Sequence, residues 1–187
     1  RSGEALYGGF AARNSEPQRQ GFAVLEELGT GCVIHQPSYN RSDRWVERDG
    51  LKETLTERGV GWIACRPLAQ GMLTNKYLEG VPQGSRATQS KSLNPNFLSD
   101  KAIENIRKLD EIAQRRGQTL AQMAIAWVLR NGGITTALIG ASRPEQVIDC
   151  VGAIDNLEFS TAELVEIDEY ADDENVNLWA TSSETDS

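Results

Sequence analysis

The chain has 187 residues, of which 39% are hydrophobic, and its formal net charge is −8. This length suits one or at most two globular domains with a substantial core. No apolar run approaches the roughly eighteen residues of a membrane span and no secretory leader opens the sequence, so we expect a cytoplasmic protein without a membrane span. The acidic composition, without basic runs among aromatic residues, disfavours nucleic-acid binding. Three cysteines without metal-ligand spacing disfavour a disulfide framework or a zinc site.

Charge is unevenly distributed along the chain. Of the 27 acidic residues, 13 follow Arg143, where no Lys or Arg occurs, whereas residues 1–143 hold 14 acids and 19 bases. The first three quarters would suit a phosphorylated small molecule. An ordinary solvated acidic surface explains the C-terminal charge at least as well.

Apolar runs and helical patterns alternate along the chain. Hydrophobic or β-branched runs predict strands at residues 5–11, 32–36, 60–65 and 135–139. Caps, glycine stops and helical spacing predict helices that begin at the caps Ser15, Thr119, Ser142 and Ser160 or span 51–58 and 101–116. A long polar loop is predicted from Leu68 to about Ser99, and such loops are often functional. A polar tail is predicted over residues 175–187.

The second predicted strand ends in His35 and Gln36. Neighbouring strand residues point to opposite faces, so only one of the two can face a site. We expect His35, the single histidine, to be structural.

Residues 134–154 predict a strand, a tight turn and a helix. Ser142 followed by Glu145 has capping-box spacing, and Pro144 suits a first helical turn. The unpaired N–H groups at such a helix start favour an anion, and Arg143 adds a positive charge beside them. This pattern predicts a phosphate site, although most capped helix starts bind only water.

Four strand–helix units leave two architectures open. One is part of a (β/α)8 barrel, and the other is a small open doubly wound sheet. The chain has no GxGxxG fingerprint, which the open sheet would favour. The barrel places functional residues at the carboxyl ends of strands, where Gln36, residues 66–69 and Ser142 lie. We therefore expect a (β/α)8 TIM barrel, of which this chain supplies about the last four β/α units and a C-terminal helix.

Three motifs resemble those of the aldo-keto reductases. They are HQPSYN at 35–40, RPLAQGMLTNKY at 66–77 and LIGASRPEQV at 138–147. They are most similar to the branch that holds the potassium-channel β subunits and the bacterial glyceraldehyde-3-phosphate reductases. The resemblance runs from about Gly3 to Trp179. It implies that residues 1–187 are the C-terminal half of one NADPH-dependent oxidoreductase barrel domain that reduces aldehydes or ketones.

The resemblance also implies where NADPH would bind. Gln36 would hydrogen-bond the nicotinamide carboxamide. The pyrophosphate would follow the loop after the third strand, at the backbone of Arg66 and at Pro67, Leu68, Ala69 and Gly71. Lys76 and Arg86, later in the same loop, would supply positive charge. Ser142 and Arg143 would bind the adenosine 2′-phosphate, and Gln146 and Asp149 would lie near the adenine and its ribose. Taken singly, Lys76, Arg86, Gln146 and Asp149 would pass for ordinary surface residues.

This chain departs from the family pattern at several positions. Ala11 and Ala12 replace a polar pair that contacts the carboxamide, Cys65 replaces a large side chain that stacks on the nicotinamide, and Cys150 replaces an Asn. These changes predict a weaker grip on the nicotinamide. The catalytic tetrad of the family lies on the first four strands, which have no counterpart here. We therefore expect this chain alone to be inactive.

Three hypotheses follow from the sequence. The leading one is an NADPH-dependent aldo-keto reductase, or a fragment of one, acting on a small carbonyl substrate. The second is a non-catalytic NADPH-binding regulatory subunit, like the channel β subunits. The third is a half barrel that binds nothing alone, whose bare strand edges and uncovered interior would favour self-association into a homo-oligomer.

Overall fold

The structure is a computed structural model that describes residues 8–11, 15–48, 50–80 and 99–170. Four parallel strands form one sheet: β1 (Gly8–Phe10), β2 (Cys32–His35), β3 (Gly61–Cys65) and β4 (Thr136–Leu138). Their spatial order is the order of the chain. Sequential parallel strands are typical of a (β/α)8 barrel, whereas a doubly wound sheet reverses its strand order. The strand order therefore removes the open-sheet alternative.

Helices connect these strands. They are α1 (Ser15–Glu27), α2 (Trp45–Arg48), α3 (Leu51–Glu57), α4 (Asp100–Arg115), α5 (Leu120–Leu129), α6 (Pro144–Val151) and α7 (Thr161–Glu169). Short 3₁₀ turns occur at Ala69–Gly71, Asn75–Tyr77, Arg130–Gly132 and Gly152–Asp155. Every predicted strand and helix has a counterpart. The short helix α2 was not predicted.

The predicted polar loop is only partly irregular. Its first third contains the 3₁₀ turns Ala69–Gly71 and Asn75–Tyr77, and it packs through Met72, Leu73 and Tyr77, all of which are buried. The prediction of a structureless loop from Leu68 was therefore wrong for this part. Its apolar residues are spaced too irregularly to read as a helix or a strand. Residues 81–98 lie outside the described residues.

The sheet has one face covered by helices and one that is open in the described part of the chain. Pairing places His35 beside Trp62, and both are buried, as is Ala64 two residues on. Large apolar side chains from the helices pack against this face: Phe22, Leu51, Leu55, Ile106, Leu109, Ile112, Met123, Trp127 and Ile167. The opposite face carries Ile63 and Cys65, which pair with Thr136 and Leu138. Leu138 is 50% exposed.

A charged aromatic cluster closes the core beside α5. The ring of Tyr39 stacks on that of Trp127 with centroids 5.5 Å apart, and the guanidinium of Arg130 lies 3.5 Å from the centre of the Trp127 ring. The Tyr39 hydroxyl donates a hydrogen bond to Glu47, whose carboxylate also accepts from Arg44 at 2.6 Å. The sequence pattern pointed to the apolar core but not to this network.

Among the described residues, the helices are too short or too polar to cross a membrane.

Candidate functional site

The start of α6 combines a helix N-terminus with an exposed arginine. Arg143 occupies the N-cap position with extended backbone angles, φ −144° and ψ 147°, and Pro144 is the first helical residue. Pro144 explains both facts, because a proline fixes its own φ and pushes the preceding residue into the extended region. The Arg143 side chain is exposed and makes no hydrogen bond or ion pair with another described residue. The helix end and the guanidinium thus present positive charge to the same region.

The predicted capping box of Ser142 and Glu145 was wrong. The helix begins two residues after Ser142, so the third helical residue is Gln146. The side-chain oxygen of Gln146 accepts from the Ser142 backbone N–H at 2.8 Å and from its hydroxyl at 3.1 Å. The extended conformation that Pro144 imposes on Arg143 moves the cap one residue toward the C-terminus. Ser142 is therefore held by Gln146 and does not cap the helix.

A shallow cavity of about 580 Å³, widely open to solvent, adjoins this helix start. Its lining combines the polar turn with apolar side chains of the first helical turns: Ala141, Ser142, Arg143, Pro144, Val147 and Ile148. Ile148 is 73% exposed. A surface with a cation at one end and an apolar wall beside it can accept a phosphate attached to a flat ring. Neither Gln36 nor Leu68 lines this cavity.

The carboxyl ends of β2 and β3 form a second part of the candidate site. Gln36 is exposed directly after β2, while His35 is fully buried, as strand alternation predicted. Hydrogen bonds join the loop after β2 to the end of β3 and the loop that follows it. The Tyr39 N–H donates to the Cys65 carbonyl at 3.1 Å, and the Asn40 amide donates to the Arg66 carbonyl at 3.1 Å. Ser38 donates to Asp43 at 2.7 Å within the same loop. The segment predicted to follow the pyrophosphate is therefore held in place from β2.

The backbone after β3 is strained. Arg66, Ala69 and Gln70 have φ values of 62°, 46° and 59°, and Gly71 has φ 94°. Left-handed backbone at residues other than glycine costs free energy and concentrates at functional sites. The Ala69 and Gly71 N–H groups donate to carbonyls of this loop at 2.9 and 2.8 Å. Ala69 and Pro67 are buried, whereas Leu68 is half-buried. The strain lies in the backbone angles of residues that are not glycine, so the spacing of residue types in the sequence could not reveal it.

The remaining predicted residues are dispersed. Lys76 is exposed, with its ammonium 5.7 Å from the centre of the Tyr77 ring. Arg86 lies outside the described residues. Gln146 is half-buried and bonded to Ser142, and the half-buried Asp149 accepts from the Thr119 hydroxyl at 3.1 Å. Sequence reasoning missed the contact with Thr119.

Four residues differ from the family pattern, and three of them lie among the described residues. Ala11 is exposed at the end of β1, and Ala12 lies outside the described residues. Cys65 lies on the open face of the sheet, and Cys150 is buried beside Ile125 and Ala153. Burial raises the pKa of both thiols; at Cys65 the charge of Arg66 opposes that effect only in part. A raised pKa disfavours the thiolate at neutral pH, so neither residue is an activated nucleophile.

No group of three or more metal-ligating side chains occurs in the described ranges. The residues assembled at the strand ends are instead amides, exposed cations and backbone groups. Groups of this kind suit an anionic or polar ligand.

Comparison with known proteins identifies the family to which this chain is related. A model of the Aldo/keto reductase family matches residues 2–172. L-glyceraldehyde 3-phosphate reductase of Escherichia coli strain K12 is 46% identical over 187 residues, which covers 98% of this chain and 54% of that protein. A Schizosaccharomyces pombe protein named as a voltage-gated potassium channel subunit beta is 34% identical over 146 residues, which covers 73% of this chain and 41% of that protein.

Comparison with solved structures also finds an aldo-keto reductase. The crystal structure of a thermostable aldo-keto reductase, Tm1743, in complex with the inhibitor epalrestat matches 88% of this chain and 48% of its own chain. The TM-score is 0.59 at 25% sequence identity.

The fold is thus the C-terminal part of the (β/α)8 barrel found in oxidoreductases of this class. The chain belongs to the aldo/keto reductase family. It spans about half the length of the curated relatives that it matches.

Proposed function

We propose that residues 1–187 form the C-terminal, cofactor-binding half of a single barrel domain in an NADPH-dependent aldo-keto reductase that reduces small aldehydes or ketones. The observation that carries this proposal is the helix start at Pro144, where an exposed arginine meets a cavity in a chain of this family. The E. coli relative is named for reduction of L-glyceraldehyde 3-phosphate, which supports a small carbonyl substrate here.

The described residues fit the adenosine end of NADPH. Arg143 supplies a full charge, the start of α6 supplies backbone N–H donors, and Val147 and Ile148 supply an apolar wall. Gln36 would meet the nicotinamide carboxamide, and the strained loop at Arg66–Gly71 would follow the pyrophosphate. When bound, NADPH would supply the hydride. The proton donor would belong to strands that this chain does not contain.

The cofactor preference tests this proposal. Arg143→Ala should weaken NADPH binding by about 1.5–3 kcal/mol, because a charge-assisted hydrogen bond to the 2′-phosphate is lost. NADH binding should change little. Titration of the protein containing this chain with both cofactors, followed by nucleotide fluorescence, measures the difference.

Arg115→Ala is the matched control, because it removes an equal charge from α4, where Arg115 pairs with Glu166 at 2.5 Å. It should leave both affinities unchanged. Equal binding of NADPH and NADH by the unmodified protein would overturn the proposal.

The alternative is that the protein is a regulatory, non-catalytic NADPH-binding subunit. The similarity to a protein named as a channel β subunit motivates this alternative. An assay of carbonyl reduction by the protein that contains this chain separates the two. We expect turnover with simple aldehydes. Tight NADPH binding without turnover would favour the regulatory role.

A further inference from the structure

The helix that carries the proposed phosphate site rests on α5. Eight of the ten residues of α5 are buried, so this helix is fixed within the core: Leu120, Ala121, Met123, Ala124, Ile125, Ala126, Trp127 and Val128. By contrast, α6 buries only Cys150, which contacts Ile125. Its outer residues Ile148 and Val151 are 73% and 55% exposed. Little apolar packing therefore sets the position of α6.

Polar contacts from the start of α5 hold α6 instead. The Gln122 amide donates to the Asp149 carbonyl at 3.0 Å. The Asp149 carbonyl, in the last turn of α6, already accepts from the Gly152 backbone N–H, so the Gln122 amide adds a second bond that comes from another helix. The Thr119 hydroxyl lies 3.1 and 3.3 Å from the two Asp149 carboxylate oxygens. That carboxylate also lies at the N-terminus of α5, where the helix dipole favours negative charge.

The same two side chains form the capping box of α5. The Thr119 oxygen accepts from the Gln122 N–H at 3.2 Å, and the Gln122 oxygen accepts from the Thr119 N–H at 3.0 Å. Each side chain is thus fixed on α5 by one bond and directed to α6 by another. A capping box requires only the bonds within α5, so the bonds to Asp149 are an additional constraint on the two side chains.

A glycine preserves the space that this arrangement needs. A Cβ at Gly152 would lie 2.6 Å from the Gln122 side-chain nitrogen. Gly152 has φ −59° and ψ −11°, which any residue can adopt. The glycine is therefore explained by the Gln122 side chain rather than by its backbone conformation.

We propose that Thr119 and Gln122 are positioning residues that set the place of α6, and through it the preference of the site for a 2′-phosphate. This inference rests on the proposed function. The phosphate end of α6 lies about 7–8 Å along the helix axis from Asp149, so a shift or tilt at Asp149 displaces Arg143 and the first helical N–H groups. Binding of the 2′-phosphate depends on their direction as well as on their charge.

The test compares 2′,5′-ADP with 5′-AMP, measured by calorimetry on the protein containing this chain. Both ligands carry the adenosine, and only the first carries the 2′-phosphate. Thr119→Val, which keeps the side-chain shape, should lower the preference for 2′,5′-ADP by about fivefold or more, at the lower end of typical coupling between sites. Gly152→Ala should do the same by displacing Gln122.

Two controls separate positioning from loss of stability. Ser160→Ala removes an equivalent cap from α7, where the Ser160 oxygen accepts from the Glu163 N–H at 3.2 Å without any described contact to α6. Gly31→Ala adds a methyl group that meets nothing within 4 Å. Both should keep the preference of the unmodified protein. Gly152→Ala keeps the Thr119 cap, so it tests the inference even where Thr119→Val fails to fold.

The outcomes are distinct. Loss of the preference in Thr119→Val and Gly152→Ala, with both controls unchanged, supports the inference. Retention of the preference in those two variants overturns it and leaves the proposed NADPH site standing. Absence of a preference in the unmodified protein overturns the proposed site itself.

Discussion

At the scale of single residues, Glu47 is the centre of the charged aromatic cluster. It accepts hydrogen bonds from Tyr39 and Arg44, and Arg130 lies 3.2 Å from it. Burial alone would raise the Glu47 pKa, but these hydrogen bonds and the two guanidinium charges outweigh it, so the net shift is downward. Burial also raises the pKa of Tyr39, which therefore stays a hydrogen-bond donor at neutral pH.

Glu47→Gln should lower the free energy of unfolding at pH 7 by about 1–3 kcal/mol, because hydrogen bonds to a half-buried carboxylate lose their charge. A group whose pKa is depressed by folding stabilises above its unfolded pKa, here about 4.3. The difference between the two proteins should therefore shrink as the pH falls below about 4. Urea unfolding followed by tryptophan fluorescence measures both effects.

Glu111→Gln provides the comparison. Its carboxylate pairs with Lys108 at 3.1 Å on the exposed face of α4, where solvent screens the attraction and a salt bridge adds little to stability. If Glu47→Gln costs no more than Glu111→Gln, the cluster does not stabilise the fold.

At the scale of elements, the capping box of α7 is a separable contribution. The Ser160 oxygen accepts from the Glu163 N–H, and the Glu163 carboxylate accepts from the Ser160 N–H at 2.7 Å. Ser160→Ala should lower the free energy of unfolding by about 1 kcal/mol. Ser160→Gly should cost only a few tenths of a kcal/mol, because glycine exposes the helix end to water. Chemical denaturation of the three proteins tests this order, and equal costs for the two variants would contradict it.

The helix ends also show what sequence can and cannot determine. The caps Thr119 and Ser160 were predicted correctly, because their partners Gln122 and Glu163 lie at the required spacing. Ser142 has the same spacing and does not cap, because Pro144 controls the backbone of the residue before it. A local pattern fails where a neighbour restricts the backbone more strongly than the cap stabilises it.

Contacts between elements were beyond sequence reasoning. Thr119 and Asp149 are 30 residues apart, and no spacing rule links them. The left-handed backbone at Arg66, Ala69 and Gln70 is equally hidden, because these residue types do not signal it. Alternation, turn residues and motif likeness were enough to predict the strands, their order and the exposure of Gln36 and Arg143. The motif likeness supplied the remaining site residues, and their contacts with a cofactor stay predictions.

At the scale of the whole molecule, the open face of the sheet is the main feature. On this face Ile63 is half-buried and Leu138 is half-exposed. Ile148 and Val151 on α6, and Ile154 in the 3₁₀ turn after it, are further exposed apolar residues. The curated relatives are about twice as long as this chain. An additional half barrel would cover the open face of the sheet.

Residues 1–187 expressed by themselves should therefore self-associate, because exposed apolar area and unpaired strand edges both favour it. Light scattering after size exclusion should give a mass well above the 20.5 kDa of one chain, and the dye ANS should fluoresce on binding. A monodisperse 20.5 kDa species that does not bind ANS would contradict this prediction.

The central claim is that the adenosine 2′-phosphate of NADPH binds at the start of α6. A crystal structure of the protein containing this chain with NADP⁺ bound tests it most directly. We expect the 2′-phosphate within hydrogen-bonding distance of the Arg143 guanidinium and of a backbone N–H in the first turn of α6. A 2′-phosphate in solvent, or bound elsewhere with Arg143 turned away, would contradict binding at the start of α6.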